Sequence, residues 1–152
     1  MNFEITAFEN KKHRDQVISL WKDVFGYEIS HNSPDIVIDK KVAFNDGLFF
    51  IAVDKDNVIG TIMAGYDGHR GWIYSIAVSK DYRKKGFGSA LLAYAEERLS
   101  EKGCIKINLQ IMEGNETVET FYLSNGYQTE KRISMGKRLE QNIKNSEPAH
   151  YL

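Results

Sequence analysis

Two glycines one residue apart, Gly86 and Gly88, separate an apolar stretch, Trp72 to Val78, from an amphipathic run that begins near Gly88. A strand that passes through a tight turn into a helix belongs in a layered sheet-and-helix fold. The turn is also basic: Tyr82-Arg83-Lys84-Lys85-Gly86-Phe87-Gly88-Ser89. Helix N-termini leave backbone N–H groups unpaired and carry partial positive charge. Gly86 and Gly88 let the backbone approach a phosphate without a Cβ clash, and successive amides form an anion nest. Arg83, Lys84 and Lys85 add formal charge. Taken alone, such a turn reads first as a solvated strand–helix connection.

Hydrophobic periodicity organises the rest of the chain. Phe3 to Phe8 alternates as a strand does, and Lys11 to Phe25 places Val17, Trp21 and Val24 on one helical face. Ser33-Pro34-Asp35 reads as a helix start, and that helix is expected to run to about Asn45. Leu48 to Val53 and Val58 to Tyr66 are strands joined by a turn, and Asp67-Gly68 is a hairpin signal. Gly71 to Val78 is the central strand and Gly88 to Lys102 the main helix, ended by Gly103. Cys104 to Met112 alternates as a fifth strand, and a helix from about Asn115 ends at Gly126. Tyr127 to Ile133 and Ser134 to Leu139 are expected to form a terminal strand pair. Residues 1–140 therefore read as one domain, with 141–152 a polar tail.

The order is a β-rich first half, then strand, helix, strand, helix. It predicts an α/β (α+β) mixed sheet with helices on both faces. One cysteine, Cys104, excludes an internal disulfide and fits a reducing cytoplasm. Cys104 begins a strand without a base partner and reads as core rather than nucleophile. The start lacks a signal-peptide pattern, and no apolar run approaches a membrane span. A net charge of −1 argues against a nucleic-acid or membrane-surface binder. His13, His31 and His150 show no spacing with Cys or acids that suggests a metal site.

Downstream of the glycine turn, Asn115 opens a helix carrying Tyr122 seven residues later, and Gly126-Tyr127 closes it. With these residues the sequence resembles the GNAT superfamily, the Gcn5-related N-acetyltransferases that use acetyl-CoA. Their Arg/Gln-x-x-Gly-x-Gly/Ala signature matches Arg83 to Gly88. Their later Asn and Tyr, followed by Gly-Phe/Tyr, match Asn115, Tyr122 and Gly126-Tyr127. Gly60 to Gly71 and Gly136-Lys137-Arg138-Leu139 look most like the bacterial YpeA-type acetyltransferases.

The resemblance implies a mostly antiparallel sheet of six to seven strands, splayed into a cleft between the fourth and fifth. It implies that the pantetheine arm of CoA pairs with the backbone of Ile76, Ala77 and Val78, where an amide polarises the thioester carbonyl. Arg83, Lys84, Lys85, Gly86, Phe87, Gly88 and Ser89 would hold the pyrophosphate, and Asn115 would contact the pantetheine arm. Asn115 is also explained as a helix cap. Tyr122, otherwise a core aromatic, would donate to the departing CoA thiolate. Many relatives pair as dimers, so a homodimer is an expectation on the same ground.

Some members place a glutamate base four residues before the first pantetheine-pairing residue. Here that position is Trp72, which accepts no proton. A lysine-type amine has a pKa of about 10.4 and an α-amine about 8, so an α-amine acceptor needs less help. Glu28, Asp67, His69 and Arg70 are the substrate-side candidates: Glu28 for an ammonium, Arg70 for a carboxylate, His69 for proton transfer. Each also reads as a surface or turn residue, Asp67 above all. The expected function is acetyl transfer from acetyl-CoA to a small-molecule, amino-acid or peptide amine by direct attack. The alternatives are a CoA-sensing module without turnover and an unrelated phosphate binder, the latter lacking a Gly-x-x-x-x-Gly-Lys-Ser/Thr loop.

Overall fold

The computed structural model describes residues 3–26 and 33–139. Two compact units divide between Leu109 and Gln110. The first holds β1 (Glu4–Ala7), α1 (Asn10–Phe25), α2 (Pro34–Phe44), β2 (Phe49–Asp54), β3 (Asn57–Tyr66), β4 (Gly71–Val78), α3 (Phe87–Glu101) and β5 (Ile107–Asn108). Its sheet runs β1-β2-β3-β4-β5. The first three pairings are antiparallel, and β4 with β5 is parallel. A parallel neighbour requires a crossover, and α3 is that crossover.

Successive residues of β3 show how the sheet is covered. A Cβ on Gly60 would lie 2.8 Å from Leu91 of α3, whereas Thr61 bonds Trp21 of α1. Neighbouring strand residues point to opposite faces, so α1 and α3 cover opposite sides. This explains why β2 and β3 read as near-continuous apolar runs rather than alternating ones. One face packs Val17, Trp21 and Ile38 against Phe49, Ile51, Met63 and Ala77. The other receives Leu91, Leu92, Ala95 and Leu99 of α3, all buried. Each large apolar side chain so enclosed contributes about 1.5–3 kcal/mol. Lys41 ties α2 to this frame: its Nζ donates to Asp46 at 2.7 Å and to the Ala64 carbonyl.

The second unit carries α4 (Glu116–Ser124). Two expectations for the C-terminal third are corrected. The strand expected over 104–112 is a two-residue ladder, Ile107–Asn108. Residues 127–139 form no strand pair, so the described sheet has five strands rather than six or seven. Alternation makes a strand only where one face is buried and a ladder is available. Here Ile105, Ile133, Met135 and Leu139 are 93%, 91%, 90% and 81% exposed. The expected tail, 141–152, lies outside the described residues.

Candidate active site

The site is built along β4. Its pairing with β5 covers only Gly71 with Ile107 and Trp72 with Asn108. From Ile73 to Val78, that edge of β4 has no strand beside it among the described residues. The parting begins next to close packing: a Cβ on Gly71 would come within 2.7 Å of Cys104 Sγ and 3.2 Å of Ile107. On the opposite edge, β4 pairs with β3 through a bulge. Thr61 faces Ala77 and Met63 faces Tyr74, so Ile62 opposes both Ser75 and Ile76. Ser75 takes the bulge conformation at φ +51°. Ala77 is buried, while Ile76 and Val78 are half-buried. Their backbone runs along the open edge, so the side chains serve the core while the edge stays free.

The strand ends in a single 3-10 turn, Lys80–Tyr82, and then the basic turn. Arg83 Nε donates to the Val78 carbonyl at 3.1 Å, which couples the turn to the strand end. Lys84 and Gly86 both have positive φ, +60° and +86°. Gly86 caps α3 without a side chain, and the first intrahelical bond runs from Ala90 N–H to the Gly86 carbonyl. The amides of Phe87, Gly88 and Ser89 therefore precede the helical ladder and remain donors for an anion. A Cβ on Gly86 would meet nothing within 4 Å, so the backbone is open to a close-lying ligand. Arg83, Lys84 and Lys85 are exposed, and Lys85 Nζ lies 5.8 Å from the Tyr82 ring. Phe87 contributes backbone only. Its ring is buried, edge-on to Phe3 at 4.6 Å and to Tyr82 at 5.7 Å.

At the other end of β4 the hairpin is organised by Asp67. Its Oδ1 accepts from the backbone of His69 and Arg70, both at 2.7 Å, and its Oδ2 from Trp72 Nε1 at 3.3 Å. These donors, Arg70 first, then His69 and Trp72, hold its carboxyl below the usual carboxylate range. Asp67 is thus the turn-shaping residue and a poor proton acceptor. Arg70 Nη1 lies 2.8 Å from His69 Nε2. Glu28 lies outside the described residues.

In the second unit, Asn115 is the N-cap of α4, its Oδ1 accepting from Val118 N–H at 3.3 Å. Tyr122 is 5% exposed. Its ring is edge-on to Phe121 at 5.1 Å and Tyr127 at 5.4 Å. Burial pushes its phenol well above the ordinary tyrosine range, so the hydroxyl stays protonated.

The sequence profile of the acetyltransferase (GNAT) family matches residues 14–127. The chain belongs to the GNAT acetyltransferase family. It is similar to an acetyltransferase from Yersinia pestis, 37% identical over 136 residues, covering 90% of this chain and 95% of that one. An acetyltransferase from Yersinia enterocolitica is 35% identical with the same coverage. The fold is that of the PaiA N-acetyltransferase from Thermoplasma acidophilum, solved with coenzyme A: TM-score 0.75, 21% identity, 88% and 94% of the two chains covered.

The GNAT chain is an acetyl-CoA-dependent N-acetyltransferase. The anionic end of that cosubstrate suits the donors preceding Ala90, the open Gly86 position and the three cations. The structure brings Ile76, Ala77, Val78 and Arg83 to Ser89 together, as one strand edge and the turn that follows it. Asp67, His69 and Arg70 sit beyond the start of that strand, whose first residue, Gly71, is roughly 23 Å from Val78 at strand rise. Asn115 and Tyr122 stand on or at α4 of the other unit. Among the described residues no group of three or more His, Cys, Asp or Glu side chains is placed to hold a metal ion. No helix there is long and apolar enough to cross a membrane. Sequence reasoning took Trp21 as core and passed over Thr61 and Ser75. The one available signal was a side-chain hydroxyl at Thr61 within the apolar run Val58 to Ala64.

Proposed function

We propose that the acceptor of this acetyltransferase is an α-amine, of a free amino acid or a peptide, which attacks the acetyl-CoA thioester directly. Trp72 carries this reading. The position offers an indole whose N–H is engaged by Asp67, not a carboxylate. Asp67 itself accepts three hydrogen bonds and is held anionic. Among the described residues, neither Trp72 nor Asp67 therefore offers a strong base at the start of β4. An acceptor with a pKa of about 8 is partly neutral without one, whereas a lysine-type amine at about 10.4 is not.

The roles of the chain's groups follow. The amides preceding Ala90, with Arg83, Lys84 and Lys85, hold the pyrophosphate, and the β4 edge at Ile76 to Val78 pairs with the pantetheine arm. An amide of that edge polarises the thioester carbonyl. Bound acetyl-CoA supplies the acetyl group and a thiolate leaving group. Tyr122, protonated because it is buried, donates to that thiolate. Asn115 caps α4 and so fixes the helix that carries Tyr122. Arg70 meets the carboxylate end of an acceptor long enough to reach the hairpin.

The test is release of free CoA thiol against free amino acids, peptides, polyamines and blocked lysines. The expected result is an α-amine as the best acceptor. Polyamines or internal lysines turned over far better than any α-amine would overturn it. CoA binding without thiol release to any amine would favour the sensing module instead. The single cysteine and the use of acetyl-CoA support a cytoplasmic setting. The exposed Ile133, Met135 and Leu139 of the second unit support a homodimer, which light scattering decides.

A further inference from the structure

Ser75 carries two unfavourable features at one residue. It has φ +51°, a region side chains seldom adopt. It is also 2% exposed, and its Oγ has no hydrogen-bond partner among the described residues. Backbone strain persists only where the surroundings over-determine it. The surroundings here are a two-bond relay. Trp21 Nε1 donates to Thr61 Oγ1 at 2.9 Å, and Thr61 Oγ1 donates to the Ser75 carbonyl at 2.9 Å. Trp21 and Thr61 are both 0% exposed. A hydroxyl gives and accepts at once, so Thr61 links α1 to the bulge of β4.

The link has a directional consequence. No peptide bond among the described residues is cis, and in a trans peptide the C=O and the following N–H point in opposite directions. Anchoring the Ser75 carbonyl on Thr61, which belongs to β3, turns the Ile76 N–H away from β3. That side is the edge of β4 left open beyond Trp72.

We propose that Thr61, oriented by Trp21, is a positioning residue that locks the Ser75 bulge and so aims the Ile76 amide at the acetyl carbonyl. The proposal rests on the acetyl-transfer reading of the β4 edge and assigns one amide within it. Removing an oxyanion donor outright costs about 10²–10³ in turnover. Releasing one from its correct aim costs less, roughly 10- to 100-fold.

The experiment compares Thr61→Val, Thr61→Ser and Trp21→Phe in the full chain. Thr61→Val keeps the shape and removes both bonds, Thr61→Ser keeps the hydroxyl, and Trp21→Phe removes the outer donor together with part of a buried ring. Expected for Thr61→Val is a kcat about 10- to 100-fold lower, with the Kd for CoA within about threefold. Thr61→Ser should recover kcat to within about threefold, and Trp21→Phe should fall between. Two outcomes would each overturn the proposal: a folded Thr61→Val with wild-type kcat, or a Thr61→Ser as impaired as Thr61→Val. A second arm needs no turnover. In the ligand-free ¹⁵N-labelled protein, the Ile76 amide resonance should move in Thr61→Val and, more weakly, in Trp21→Phe. An unmoved Ile76 amide refutes the lock even if the wild type acetylates nothing, an outcome that would sink the acetyl-transfer reading separately. If Thr61→Val does not fold, Trp21→Phe decides by both readouts.

Discussion

Gly86 is where strain and ligand binding can be separated most cleanly. Its φ is +86°, and a Cβ built there meets nothing within 4 Å. Gly86→Val therefore costs the folded state conformational strain, about 1–3 kcal/mol, with no clash at Cβ. At about 2–4 °C per kcal/mol for a chain of this size, the melting temperature should fall by roughly 2–12 °C. Gly103 provides the control. It lies just past the other end of α3, has φ +92°, and a Cβ there also meets nothing within 4 Å. Gly103→Val should carry the same strain and the same thermal shift. The two variants should differ only in binding. In Gly86→Val the introduced isopropyl group would occupy the open space through which a pyrophosphate reaches the amides preceding Ala90. We expect acetyl-CoA affinity to drop at least tenfold in Gly86→Val, or about 1.4 kcal/mol. In Gly103→Val it should stay within about twofold. Calorimetry on both folded proteins is the assay. Unchanged affinity in Gly86→Val, or an equal loss in both variants, would refute the pyrophosphate assignment.

Tyr122→Phe keeps the ring contacts and removes the donor, so turnover should fall roughly 10- to 1000-fold while the acetyl-CoA Kd stays within a few-fold; wild-type turnover where chemistry limits the rate would make the hydroxyl dispensable. An acid is lost as pH rises through its pKa, and burial raises that of Tyr122 above 10. The kcat profile should therefore show no alkaline decline from this group below pH 10, and a decline that disappears in Tyr122→Phe would contradict the burial argument. Lys41→Met should destabilise by about 3 kcal/mol, read by denaturant unfolding, because it leaves the mostly buried Asp46 carboxylate without its cation. A change within about 0.5 kcal/mol would show that the pair contributes nothing.

The first unit was legible as far as α3 because its signals there are local. Gly71 to Val78 was readable to the residue, and α1, α2 and α3 to within a position or two at each end, because caps and apolar spacing lie within a turn of each boundary. The Gly86 turn was legible for the same reason: positive φ, cations and a helix start are coded by adjacent residues. The C-terminal third was misjudged where alternation had to stand in for a partner. Ile105 and Ile133 alternate with polar neighbours as a strand would, yet both are almost fully exposed, and periodicity does not reveal whether a ladder exists.

Thr61 and Ser75 escaped for a deeper reason, which bears on how such sites are found. Each residue is ordinary in its own strand. What distinguishes them is a register: Ile62 opposing two residues of β4 frees one carbonyl from the ladder, and Thr61 is the neighbour whose hydroxyl can take it. Trp21 enters only because α1 crosses that face of β3. Three residues separated by 40 and 14 positions thus fix one peptide plane. The proposed anion-binding end is sequence-local because a helix start supplies its donors automatically. The amide proposed to meet the reacting carbonyl must instead be turned out of a regular ladder, by a bulge, an anchor and a support from three separate elements. The geometry proposed for the β4 edge is therefore written in pairings between strands rather than in any one segment.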